Sequence, residues 1–142
     1  MPSSLKIARL VDSEALAKIH QACFEKGWSK DDIISYLRRP ACYAVWMEET
    51  AFVLFEIIQD ETEIKTIAVL ENHRKKNIAS HLCQEVLDVS REFGVKKILL
   101  EVSEKNQAAL GLYNKLGFQE YNRRTDYYAK GEDAILMKYG SQ

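Results

Sequence analysis

The sequence predicts a single α+β domain, residues 1–142, built around a mixed sheet, and three observations predict it. Strand-length apolar runs and stretches of helical periodicity follow one another in the order β-α-α-β-β-β-α-β-α-β-β. One stretch, Arg74 to Phe93, carries Ile78, Leu82, Val86, Val89 and Phe93 at spacings of four, four, three and four, which is one face of a long helix. No repeat, low-complexity tract or linker interrupts the 142 residues, and with 46% hydrophobic and 29% charged residues they can bury one real core.

Taken in order, Leu5 to Ala8 alternates as a short strand, and Asp12-Ser13-Glu14 supplies an N-cap signal for a helix with Leu16, Ile19 and Cys23 on one stripe and Gly27 as its stop. Ser29 with Asp32 resembles a capping box for a second helix carrying Ile33, Ile34 and Leu37, stopped by Pro40. Cys42 to Met47 and Ala51 to Gln59 are extended runs joined by the polar Glu48-Glu49-Thr50, a hairpin pattern, and Glu63 to Leu70 is a third run. After the long helix, Gly94 is the natural stop. Ile98 to Val102 is almost wholly apolar, which implies cover on both faces, with Glu101 as the one charge inside it. Asn106 caps a last helix with Ala109, Leu112, Tyr113 and Leu116 on one face and Gly117 at its end. Phe118 to Arg123 and Ala134 to Lys138 are the final strands, joined through a segment containing Gly131.

Composition narrows the function classes. Twenty Lys+Arg against 21 Asp+Glu leave a formal charge of -1, so no global field holds the chain on nucleic acid or an anionic membrane, and any anion must be bound locally. Cys23, Cys42 and Cys83 are odd in number and lack C-x-x-C spacing, which fits neither a disulfide framework nor a zinc site, and a reducing cytoplasm is the expected setting. The apolar stretch Ala51 to Ile58 is broken by Glu56, and Met1-Pro2-Ser3-Ser4 leads into a charged strand, so neither a membrane span nor a signal peptide is expected.

Three local features carry chemistry. His73-Arg74-Lys75-Lys76 stands at the start of the long helix, where cations face the positive end of the macrodipole. The run is either a solvated basic turn or the partner of a ligand with several phosphate charges at a helix N-terminus. A carboxylate in an apolar strand loses solvation, which raises its pKa toward that of a general base, so Glu101 reads either as such a base or as an edge residue facing water or a cation. Tyr113 lies on the packed face of its helix, where a core aromatic with a satisfied hydroxyl is the alternative to a catalytic phenol.

The segments Thr66-Ile67-Ala68-Val69, Arg74-Lys75-Lys76-Asn77-Ile78-Ala79, Leu100-Glu101-Val102, Asn106-Gln107-Ala108-Ala109 and Leu112-Tyr113-Asn114-Lys115-Leu116-Gly117-Phe118, in this order and spacing, resemble the GNAT acetyltransferase superfamily. Gly27-Trp28-Ser29, Asn122-Arg123-Arg124, Tyr127-Tyr128 and the stretch 131–137 are similar to the bacterial ribosomal-protein-alanine N-acetyltransferases, the RimI group. The resemblance is strong over residues 61–138 and thin before them. It implies a GNAT fold, with a mostly antiparallel mixed sheet, helices on both faces and a splayed central strand pair. It also implies acetyl-CoA as cosubstrate without a metal. Ile67, Ala68 and Val69 would meet the pantetheine arm, Arg74, Lys75, Lys76, Asn77, Ile78 and Ala79 the pyrophosphate, and Asn106 another part of the cofactor. Glu101 would be general base and Tyr113 general acid. Asn77 stands where the family has its first glycine, and Asn tolerates left-handed dihedrals better than most residues. Tyr127 and Tyr128 are candidates to line a slot for an extended peptide, against the alternative of two rings on opposite faces of a strand.

The expected reaction is direct transfer to the N-terminal amine of a protein, with the alanine N-terminus of a small-subunit ribosomal protein as the implied substrate. A lysine or small-amine acetyltransferase and a non-catalytic acetyl-CoA-binding module are the competing readings. The oligomeric state is open.

Overall fold

The computed structural model describes residues 5–140, so the reading of Met1 to Ser4 lies outside them. Among the described residues the elements are β1 (Lys6–Ile7), α1 (Ser13–Cys23), α2 (Lys30–Arg38), β2 (Cys42–Met47), β3 (Ala51–Ile58), β4 (Glu61–Val69), α3 (Ile78–Glu92), β5 (Lys97–Ser103), α4 (Gln107–Leu116), β6 (Gln119–Ala129) and β7 (Glu132–Tyr139), with 3-10 turns at Leu10–Asp12 and Glu71–His73. The strands form one sheet in the order β1-β2-β3-β4-β5-β7-β6. Every neighbouring pair is antiparallel except β4 with β5. No described helix is long and apolar enough to cross a membrane.

Period-2 alternation places the core. Seven consecutive residues of β3, Ala51 to Ile57, are buried, because helices cover both faces of this strand. Phe52 and Leu54 pack with Leu16 and Ile19 of α1 and Ile33 and Tyr36 of α2. Val53 and Phe55 pack with Ile78, Leu82 and Val86 of α3, in the cluster that also takes Tyr113 and Phe118. Thr62 and Ser90, both fully buried, join β4 to α3 by a 2.7 Å hydroxyl pair, so neither polar group is left unpaired.

Local signals set most boundaries. The Ser29–Asp32 capping box forms as the sequence predicts, with Asp32 N–H donating to Ser29 Oγ at 3.1 Å and Ser29 N–H donating to Asp32 Oδ2 at 2.9 Å. Gly117 takes φ 108° past the end of α4, and Gly94 takes φ 79° past α3. Three expectations change. The helix α1 ends at Cys23, not at Gly27. Gly27 serves a close approach instead, since a Cβ there would sit 2.5 Å from Gln21 Cα. The helix α3 starts at Ile78, not Arg74, and Phe93 at its C-cap is 59% exposed instead of continuing the buried stripe. The strand β6 runs to Ala129, so Tyr127 and Tyr128 lie within it.

Candidate active site

The site begins where the sheet parts. β4 and β5 pair only at Glu61–Glu63 with Lys97–Leu99. Beyond that point β4 continues along β3 and β5 along β7, so each keeps one neighbour and turns a backbone edge without ladder partners toward the gap. Lys65 is an extra residue between the pairs Phe55↔Ile64 and Leu54↔Thr66, a bulge. It switches the faces of the strand: Ile64 packs in the α3 cluster before it, and Ile67 and Val69 do so after it, while Ala68 joins the α1–α2 cluster.

The parted strands open a cleft of about 620 Å3, lined by residues 64–67 of β4, 100–103 of β5, Asn106 at the N-cap of α4, Ala109 and Tyr113 within α4, Tyr128 of β6, Phe24, Lys105 and Glu132. It brings Glu101, Tyr113, Asn106, Ile67 and Tyr128 together. Burial alternates along β5: Ile98, Leu100 and Val102 are buried, whereas Lys97, Leu99, Glu101 and Ser103 are half-buried. The expectation that both faces are covered is therefore corrected, since the parting of β4 leaves one face half-open and Glu101 sits on that face. Its Oε2 accepts a 3.2 Å hydrogen bond from Tyr128 Oη. Partial burial first, and the Glu101 carboxylate second, raise the Tyr128 phenol above its usual range.

Tyr113 is 8% exposed and packs in the α3 cluster, with its ring 5.7 Å from that of Phe118. Burial raises its phenol, with the Cys83 thiol a smaller contributor, so it holds its proton throughout the working pH range. Asn106 caps α4, its Oδ1 accepting from Ala109 N–H at 3.1 Å, which leaves Nδ2 as the group available to a ligand. Tyr127 and Tyr128 meet edge to face at 5.2 Å in a stretch of β6 whose pairing is irregular between Arg124 and Ala129, so they do not separate onto opposite faces. Tyr127 is not in the cleft lining, and Arg124 lies over its ring at 5.2 Å.

The basic run lies in the turn before α3. His73 belongs to a 3-10 turn, and Arg74 folds back so that its Nε donates to the Val69 carbonyl at 2.8 Å. Lys75 and Asn77 both take left-handed backbone, φ 66° and 63°. Asn77 is the N-cap of α3 but no side chain caps the helix, and its first turn holds no acidic residue. The first N–H groups of α3 are thus uncapped, beside exposed Lys75 and Lys76. Ile78 is buried and Ala79 half-buried, so at these positions the backbone is what the turn offers.

Residues that sequence reasoning missed include Phe24, Lys65, Thr66, Ser103, Lys105 and Glu132 in the lining, and His20 behind it. Ser103 Oγ donates to Glu132 Oε2 at 2.5 Å, a pairing across β5 and β7 that no local pattern announces. His20 did carry a signal, as a polar residue four positions after Leu16 on the apolar stripe of α1.

The profile of the acetyltransferase (GNAT) family matches residues 13–118. A Bacillus subtilis (strain 168) protein, provisionally named a [ribosomal protein bS18]-alanine N-acetyltransferase, is 27% identical over 141 residues, 95% of this chain and 93% of that one. The [ribosomal protein bS18]-alanine N-acetyltransferase of Escherichia coli (strain K12) is 34% identical over 90 residues, 61% of each chain. The crystal structure of the ribosomal-protein-S18-alanine N-acetyltransferase from Escherichia coli superposes with a TM-score of 0.89 at 26% identity, covering 96% of this chain and 92% of that one. The match over 13–118, on a sheet parted between β4 and β5, shows that this chain belongs to the acetyltransferase (GNAT) family and is an acetyl-CoA-dependent N-acetyltransferase.

Proposed function

We propose that the enzyme acetylates the N-terminal α-amine of a protein in the cytoplasm, with the alanine N-terminus of a small-subunit ribosomal protein as its substrate. The observation that carries this reading is one cleft that holds a half-buried carboxylate, Glu101, together with a buried, protonated phenol, Tyr113. The names of the similar proteins supply the substrate class.

The residues present fit acetyl-CoA. Uncapped N–H groups at the start of α3 and the Lys75 and Lys76 ammonium groups suit a pyrophosphate. The edge of β4 at Ile67, Ala68 and Val69 suits a pantetheine arm, and Asn106 Nδ2 adds a donor across the gap. Acetyl-CoA supplies the acetyl group on a thioester, whose thiol is a reasonable leaving group at a pKa of about 8.5.

The work of the chain is then proton handling and orientation. An α-amine with pKa of about 7.7–8.0 needs only modest help, and Glu101 takes its proton directly or through one water. Tyr128 holds Glu101 Oε2, which leaves Oε1 for the amine. Tyr113 gives a proton or a strong hydrogen bond to the departing sulfur. Transfer is direct, in a ternary complex: no cysteine lines the cleft among the described residues, Cys83 is pushed up to about 12 by burial, and the Cys23 thiol is tied to the Val69 carbonyl. No direct binding to nucleic acid or membrane enters this reading.

Thiol release from acetyl-CoA, measured with an Ala-initiated peptide, an N-acetylated peptide containing lysine and a free small amine, tests it. Turnover is expected on the first. Turnover on the second or third instead would overturn the α-amine assignment.

A further inference from the structure

We infer that His20 is a positioning residue for the acceptor side of the cleft, which locks the loop between α1 and α2 onto β4 and aims the Thr66 hydroxyl as a hydrogen-bond donor into the cleft. This rests on the α-amine reading for the identity of the acceptor, and goes beyond it in naming what holds the acceptor wall in place.

The imidazole is 4% exposed and both of its nitrogens are engaged. Trp28 N–H donates to Nδ1 at 2.9 Å, and a backbone N–H can only donate, so Nδ1 carries the lone pair. The neutral ring therefore bears its hydrogen on Nε2, 3.2 Å from Thr66 Oγ1. Nε2 donates and Thr66 Oγ1 accepts. The proton of the Thr66 hydroxyl is then directed away from the ring, and Thr66 is a half-buried residue of the cleft lining.

Chain geometry makes this meeting possible. Thr66 is the first residue after the Lys65 bulge, where β4 begins to send its even-numbered side chains toward α1. On the other side, the Trp28 peptide is held at both ends, its N–H by His20 and its carbonyl by Gln21 Nε2 at 2.9 Å. Gly27 has no side chain, which lets the loop approach α1 this closely. The ring packs against Phe24 at 4.4 Å, and Phe24 itself lines the cleft. One imidazole thus joins the loop, the parted strand and an aromatic of the lining. A position that needed only volume would be satisfied by an aliphatic or aromatic side chain.

Four variants test this against an Ala-initiated peptide: Thr66→Val deletes the hydroxyl at constant shape, Thr66→Ser keeps it, His20→Gln keeps a donor near the Nε2 position, and His20→Phe keeps only the ring. Thr66→Val and His20→Phe should raise the peptide KM roughly three- to ten-fold, the factor carried by one uncharged hydrogen bond, with kcat and acetyl-CoA Kd within about two-fold. Thr66→Ser and His20→Gln should restore most of the peptide KM. In His20→Phe and His20→Gln, hydrogen exchange at the Trp28 amide should accelerate while core amides of β3 keep their protection. An unchanged KM in Thr66→Val, or a fall in kcat that Thr66→Ser does not rescue, overturns the inference. If the parent enzyme does not acetylate the peptide, the α-amine reading fails, and the exchange at Trp28 alone decides whether His20 anchors the loop: unchanged exchange in both His20 variants overturns it. If His20→Phe does not fold, the Thr66 pair and His20→Gln carry the same test.

Discussion

The two sides of the gap between β4 and β5 present different groups. On the β4–α3 side, the groups presented are backbone N–H and C=O, the Thr66 hydroxyl and exposed Lys75 and Lys76, and the turn is shaped by left-handed Lys75 and Asn77. On the β5–α4–β6 side, single side chains stand at defined places: Glu101 bonded to Tyr128, Asn106 fixed by its cap, and Tyr113 packed into the core. The starts of α2 and α3 make the same point in stability. The N-terminus of α2 is satisfied by its own capping box, with Asp31 and Asp32 in the first turn, whereas α3 has neither a cap nor an acidic residue. Capping side chains satisfy the first N–H groups of α2, whereas those of α3 stay open, the arrangement that an anion would require.

On this contrast, changes at Glu101 and Tyr113 should act on kcat, and changes in the turn before α3 should act on acetyl-CoA binding. The largest effects are expected from Glu101→Gln and Tyr113→Phe. Each should lower kcat by about 10²–10⁴ with acetyl-CoA Kd retained, and raising the pH through the α-amine range should partly rescue Glu101→Gln only. Steady-state kinetics with calorimetric Kd values check this, and losses below that range in both folded variants would remove the catalytic roles.

On the other wall, the double variant Arg74→Ala, Lys75→Ala should weaken acetyl-CoA binding roughly tenfold at low salt, with a smaller difference at high salt, and leave the chemical step unchanged. Arg74 Nε also donates to the Val69 carbonyl, a contact that an ammonium group does not reproduce in the same geometry, so Arg74→Lys should recover less than full affinity. An unchanged Kd in the double variant would mean that the pyrophosphate does not bind this turn.

Asn77 sharpens the contrast. Its backbone already holds the left-handed conformation a glycine would supply, so Asn77→Gly should change acetyl-CoA Kd by less than about threefold, while Asn77→Ala should cost about 1 kcal/mol of stability through left-handed strain. A large tightening in Asn77→Gly would show that the side chain crowds the ligand. Thermal unfolding and calorimetry separate the two outcomes.

The smallest expected effect is acid sensitivity behind the acceptor wall. Burial lowers the His20 pKa below its ordinary 6.5, so the unfolded chain takes up that proton first. The stabilisation is complete above pH 6.5 and is lost as the pH falls through that value toward the depressed folded pKa. Parent and His20→Phe should therefore differ in the slope of Tm against pH below 6.5, with the parent steeper.

The legible part of the fold is the local part. The Ser29–Asp32 box, the Gly94 and Gly117 stops, the stripe of Ile78, Leu82 and Val86, and the Asn106 cap are relations within a few residues, and all of them form. The family order of segments also named Glu101, Asn106, Ile67 and Tyr113, which the fold brings to one cleft although the whole of α3 separates Ile67 from the other three. Boundaries failed where two local signals competed. A run of cations directly before an apolar stripe looks like the first turn of a helix, yet left-handed Lys75 and Asn77 delay α3 to Ile78.

Local sequence fixes which segments are helices and strands and which stripe of each is apolar, and it sets Glu101 apart as the one charge in an apolar strand. These follow from side-chain period and capping, whose partners lie within one turn or one pleat. Tertiary structure alone decided where β4 leaves β5, that one face of β5 stays half-open at Glu101, that Gly27 is needed for contact with Gln21 and not as a helix stop, and that His20 meets Thr66 from 46 positions away. Those relations depend on strand register and on a bulge at Lys65, and register is settled only when distant segments pack against a shared core.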